Sequence, residues 1–234
     1  MKAVTDSLEW QKGGNVNLGV VLLLAPIAAA AGASLHESGS IGAQSLRDNL
    51  EKVVRAAGPD DTVDIYKAIN LAMNPETLGD VGELDVTDEG SLERIKDNLV
   101  SPLEVFENGA ERDSICSEWV SGFQITFDVG FPKLKSRLAK GTVNDAIIDT
   151  FLFLLSQYPD SLIARKSGIA QAEKVSKQAK TILEAGGAST VQGQELLWAL
   201  DEELHAAEGG LNPGTTADLT AAAIFVSLLE GWRP

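Results

Sequence analysis

Apolar residues recur at helical spacing along almost the whole chain, and strand-like alternation is sparse. Val143, Ala146, Ile147, Thr150, Phe151 and Leu154 mark one face of a helix over 143–155. The stretch from Ala43 to Ala57 is amphipathic and stops at Gly58-Pro59. A helix beginning at Asp61 then puts Val63, Tyr66, Ile69 and Met73 on one side. From Ser91 to Phe106 the pattern is helical in its first half. Ser114 to Phe127 is amphipathic until Gly130 and Pro132 break it, and Ile169–Ala185 and Val191–Ala207 are split by Gly186-Gly187. Two segments, Leu18 to Leu35 and Leu219 to Leu229, are apolar nearly all round and must be buried, the first bent or restarted at Pro26. The stretch from Asn74 to Asp88, rich in Gly, Pro and acid, reads as a loop long enough to be functional. The prediction is an all-α fold, a compact bundle of roughly eight to ten helices in a single domain over 1–234.

Composition narrows what such a bundle does. A hydrophobic share of 44% with only 6% aromatic residues implies an aliphatic interior. The net charge of −15 repels nucleic acid and anionic membranes, so neither is expected as a general partner. One cysteine, Cys116, excludes an intrachain disulfide framework, and two histidines, His36 and His205, argue against a histidine zinc centre. The uncharged run from Gly13 to Leu35 superficially resembles an export signal. Asp6 and Glu9 offset Lys2 and Lys12 before it, and it opens on a polar turn. A buried helix of a cytoplasmic protein is the expectation, rather than a signal or a membrane span. A homo-oligomer stays open.

Three polar segments carry more chemistry than helix starts require. Asn212-Pro213-Gly214-Thr215-Thr216-Ala217-Asp218 opens the buried last helix, where free N–H groups and the positive dipole end suit an anion. The same residues also fit a capping box between Thr215 and Asp218. In Gly13-Gly14-Asn15-Val16-Asn17-Leu18-Gly19, Asn17 reads equally as an N-cap. Capping does not explain Gly19, which costs about 1 kcal/mol in a first helical turn. In the third, Tyr158-Pro159-Asp160 to Gly168, Asp160 precedes the adjacent cations Arg165 and Lys166, which suits an anionic substrate or an N-cap followed by surface ion pairs. Asp145 and Asp149, one turn apart, are expected on a solvated face, and both histidines on the surface. No P-loop, Rossmann or nucleophile-elbow motif is present.

Taken together, GGNVNLGVVLLLAPIAAA from Gly13, YKAINLAMNPETLG from Tyr66, NDAIIDTFLFLLSQYPDSLIARKSG from Asn144 and LNPGTTADLTAAAIFVSLLEG from Leu211 resemble the triphosphoribosyl-dephospho-CoA synthase family, in its archaeal branch. The family's N-terminal Lys-Pro-Gly-Asn-Val-like motif has no counterpart here, so the chain is expected to be N-terminally short. The resemblance implies an enzyme that transfers the triphosphoribosyl group of ATP to dephospho-CoA or a related nucleotide-like acceptor and releases adenine. Substitution at an anomeric carbon calls for a carboxylate, and the triphosphate calls for cations, Mg²⁺ among them. Asp160 and Asp218 are the implied carboxylates, as catalytic groups or Mg²⁺ ligands. Arg165 and Lys166 would bind phosphates, Asn15 and Asn17 would hold ribose or metal-bound water, and Asn212, Gly214, Thr215 and Thr216 would present the helix end to phosphate. The competing readings are a metal-dependent hydrolase of N-glycosidic or phosphate bonds on the same scaffold, and a non-catalytic homologue.

Overall fold

A computed structural model of the chain describes residues 1–10, 17–73, 86, 88, 90–207 and 209–234. All regular structure among them is helical: α1 (Lys2–Trp10), α2 (Leu18–Ser38), α3 (Ala43–Ala56), α4 (Pro59–Ala72), α5 (Gly90–Asp97), α6 (Pro102–Glu107) and α7 (Ser114–Ser121) come first. A π-helical turn, Ile125–Gly130, leads into α8 (Phe131–Leu138), α9 (Val143–Gln157), α10 (Ser161–Ser167) and α11 (Ile169–Glu184). A 3-10 turn, Gly187–Ser189, precedes α12 (Val191–Ala206) and α13 (Gly214–Leu229). The expected loop from Asn74 to Asp88 lies, apart from Val86 and Asp88, outside the described residues.

These helices outnumber the eight to ten read from periodicity because apolar spacing runs on across short breaks. Leu99 adopts φ 55° between α5 and α6, so one amphipathic stretch becomes two helices. Gly122 (φ 69°) and Phe123 (φ 59°) end α7, where the sequence pattern continues to Phe127. The fully buried Glu118 makes that break tenable: its two oxygens accept the N–H groups of Ile125 (2.6 Å) and Thr126 (2.9 Å), which open the π-helical turn. Burial pushes the Glu118 carboxyl up to about 7, against the opposing pull of those hydrogen bonds.

Helix α2 runs unbroken through Pro26 instead of restarting there. Proline has no N–H to offer the Leu22 carbonyl, and the Trp119 indole N–H donates to that oxygen at 3.1 Å. This bond joins α2 to α7 through the orphan that proline creates. Among the described residues α2 is the helix long and apolar enough to cross a bilayer by length and composition; here its Leu23 and Ile27 are fully buried in the main core.

That core joins α2, α3, α7 and α13 through Leu23, Ile27, Leu46, Leu50, Trp119 and Val226. A second layer packs Leu152 and Leu155 of α9 against Ile163 of α10, Val175 and Ala179 of α11 and Leu200 of α12. Leu154 of α9 faces the first core, so α9 joins the two layers. Asp149 departs from the expected solvated face. It is 4% exposed, pairs with Arg137 at 2.6 Å and accepts the Ala188 N–H at 2.9 Å, tying α8 and α9 to the 3-10 turn. His36 and His205 are exposed, as expected.

Candidate active site

The N-terminal turns of four helices, α2, α7, α10 and α13, line one cleft of about 1060 Å³. Each terminus brings the positive end of its dipole to the cleft wall, and carboxylates of Asp113, Asp160 and Asp218 accept first-turn N–H groups there. The acids Glu111, Asp113 and Asp218 and the cations Arg112 and Arg165 share this lining.

Asp160 holds two of these termini together. Its side chain is the N-cap of α10, Oδ1 accepting from Leu162 N (2.9 Å) and Ile163 N (3.0 Å). Its Oδ2 accepts from the backbone N–H and the hydroxyl of Thr216, both at 2.8 Å, and so caps α13 as well. Asp160 is 2% exposed and each oxygen already has a pair of donors. The expected catalytic or Mg²⁺-binding carboxylate is therefore placed here as a buried double cap. The local capping box also gives way: α13 has Pro213 at its N-cap position with no side-chain cap, because the acceptor comes from α10. Beside it, the Ser114 N–H donates to Ser161 Oγ (3.3 Å), and that hydroxyl donates to Thr215 Oγ1 (3.0 Å), linking α7, α10 and α13.

Asp218 differs from Asp160 in what faces it. It lines the cleft and is partly exposed. Its carboxyl is pushed up to about 7, first by desolvation, then by the charges of Asp160 and Asp113, while the Val20 N–H in the first turn of α2 pulls the other way. Gly19 explains itself here: a Cβ at that position would lie 2.0 Å from Asp218 Oδ2. The glycine that capping left unaccounted for is the gap through which the α13 carboxylate reaches the start of α2.

The other expected residues divide. Arg165, Asn212, Gly214 and Thr215 line the cleft with Asp218. Lys166 is not among its lining residues; its ammonium donates to the Gly209 carbonyl at 3.3 Å. Thr216 is buried behind the wall, with its hydroxyl committed to Asp160. Asn17 turns its amide to Ser7 Oγ of α1 (2.7 Å) and makes no side-chain cap. Asn15 lies outside the described residues.

Two lining residues, Arg112 and Asp113, were not singled out from sequence. Asp113 caps α7 through Oδ1, which accepts from Ile115 N (2.8 Å) and Cys116 N (3.3 Å). An aspartate N-cap opening an apolar-periodic segment is the local signal, and Asp160 shares it. Cys116, also on the wall, has its thiol pushed up to about 12 by burial, which leaves it without thiolate character at neutral pH. Among the described residues no three His, Cys, Asp or Glu side chains gather as a metal cluster.

The family model for ATP:dephospho-CoA triphosphoribosyl transferase (CitG) matches residues 1–234. The chain belongs to this family. Among curated proteins it is 31% identical over 110 residues to one from Pseudomonas savastanoi pv. phaseolicola, and 29% identical over 151 residues to one from Pseudomonas syringae pv. syringae. Both are assigned as 2-(5''-triphosphoribosyl)-3'-dephosphocoenzyme-A synthases. The matches take in 47% and 60% of this chain but only 37% and 50% of those relatives. A crystal structure from Archaeoglobus fulgidus, assigned as a triphosphoribosyl-dephospho-CoA synthase, superposes with a TM-score of 0.73 and 27% identity, covering 99% of this chain and 88% of that one. The helical architecture is thus that of the CitG family, and the archaeal resemblance read from the four motifs holds.

Proposed function

We propose that the chain catalyses transfer of the triphosphoribosyl group of ATP to a 2′-hydroxyl of dephospho-CoA or a related nucleotide-like acceptor. The reading rests on one observation: the cleft carboxylate of Asp218 sits among converging helix N-termini with its proton affinity raised to near neutrality. In the proposed step the acceptor oxygen bonds to ribose C1′ as the C1′–N9 bond breaks, through an oxocarbenium-like transition state. The hydroxyl proton passes to Asp218, and adenine takes up one proton as it leaves, so the balance closes without another reactant. A group titrating near 7 can both accept and return a proton under working conditions.

The triphosphate, which stays intact, is assigned to the N-termini of α2 and α13, with Arg165 and Arg112 supplying charge for substrate phosphates. Asp160 is assigned a positioning role, since its oxygens are already engaged. For Mg²⁺ the donor chemistry fits: Asp113 keeps Oδ2 out of its capping bonds, and Mg²⁺ commonly binds one or two carboxylates with substrate phosphates. Asp113 would hold the ion together with the substrate phosphates, and the ion would supply charge neutralisation to the triphosphate.

Chromatography of a mixture with Mg²⁺-ATP tests the reading directly. Adenine is expected only when dephospho-CoA is added; release without an acceptor would mark an N-glycoside hydrolase instead. In the same assay Arg165→Ala raises KM about 10-fold or more, as loss of a charge-assisted phosphate contact does, and Lys166→Ala stays near wild type.

A further inference from the structure

The cleft has a second, chemically different wall that the reacting carboxylate does not use. Leu22 of α2, Ile69 of α4, Met73 just past its end and Val105 of α6 line it, all only half-buried. Aliphatic surface left open inside a concave site favours an apolar ligand portion by roughly 25 cal/mol per Å² covered. These four side chains offer no ring on which a purine could stack. Of the rings that line the cleft, Tyr66 (2% exposed) and Phe106 (5%) are closed off, Phe106 being packed on Trp119 with ring centroids 5.0 Å apart, while half-buried Tyr158 stands at the end of α9. A base wants an open aromatic face, whereas a saturated chain needs only aliphatic area. Arg112 and Arg165 line the same cleft and are exposed; neither pairs with a carboxylate among the described residues, and Arg112 donates to the Asn108 carbonyl at 3.4 Å.

We infer that the aliphatic wall takes the neutral, pantetheine-type arm of the acceptor, while Arg112 and Arg165 take the diphosphate joining that arm to its nucleoside. This rests on the transfer reading above and deepens it: the arm provides affinity, and the nucleoside end presents the 2′-hydroxyl to Asp218. Binding energy from a remote arm, held equally in ground and transition states, lowers KM and leaves kcat alone.

Adenine release is measured against acceptor concentration for dephospho-CoA and for adenosine 5′-diphosphate, which has the same nucleoside and diphosphate and no arm. Adenosine 5′-diphosphate is expected to show a KM about 10-fold or more higher at similar kcat. Val105→Thr and Met73→Gln, which keep side-chain size, are expected to raise the dephospho-CoA KM about 3–10-fold and to leave turnover of adenosine 5′-diphosphate unchanged, which also shows that the fold is intact. Equal KM values for the two acceptors overturn the arm assignment while the transfer reading stands. A rise in KM for ATP alone in those variants overturns it too, because the wall then holds the donor base. No adenine from wild type with dephospho-CoA overturns the transfer reading, and the arm assignment with it.

Discussion

Asp218→Asn lowers kcat by about 10²–10⁴-fold, the span associated with losing a general acid–base group. The same substitution removes an ascending limb of kcat/KM whose midpoint lies near pH 7, since wild-type Asp218 must be ionised to accept the acceptor's proton. Stability moves the opposite way. The folded chain keeps a proton on Asp218 up to about pH 7, while an unfolded Asp releases it near pH 4. Between those values the folded state binds more protons, so raising the pH through that window weakens the fold. Asp218→Asn takes this contribution away and should melt no lower than wild type at pH 8. Gly19→Ala reproduces the activity loss by pushing the carboxylate off the start of α2, although Ala is about 1 kcal/mol better than Gly within a helix. Turnover, pH profiles and thermal melts of both variants check this. Near-wild-type turnover in Asp218→Asn would remove the carboxylate from the chemistry.

Asp160→Ala has the opposite signature. It deletes the caps of two helices, at about 1 kcal/mol each, and strands buried N–H donors that cost about 1–3 kcal/mol more. A loss of about 3–5 kcal/mol is expected, or roughly 10 °C in Tm for a chain of this size. Asp160→Asn should be nearly as damaging. The Thr216 hydroxyl can rotate to suit an amide, but the Thr216 N–H can only donate, and an Asn nitrogen at Oδ2 would face it donor to donor. If Asp160→Asn melts with wild type by calorimetry, the double-cap account is wrong.

The contrast between these two carboxylates shows where the sequence is readable. Both stand ahead of apolar runs, and spacing alone makes Asp160 an N-cap, Asp218 the partner of Thr215 in a capping box, and each a catalytic candidate. Separating them needs to know which donors reach each oxygen, and for Asp160 half of those donors lie on α13, far along the chain. The helices were legible because burial imposes a 3.6-residue period wherever a face meets the core, as along 143–155. Their breaks were not, because Leu99 and Phe123 carry no glycine-like signal for positive φ, and the carboxylate that stabilises one break, Glu118, reads as an ordinary helical acid. Asp149 misled for the same reason: its partner Arg137 sits on another helix. Gly19 gave a true local anomaly, an expensive residue in a buried first turn, whose cause was a neighbour from the far end of the chain.

The cap on α13 spans 56 residues. A peptide beginning after Asp160 would contain every residue of the Asn212–Asp218 motif and would still lack the acceptor for the Thr216 N–H and hydroxyl. The site is thus a property of chain closure: it comes into being only when the layer of α9 to α12 has docked and brought α10 against α13. Any event that parts α10 from α13 takes the Asp160 acceptor away from the first turn of α13.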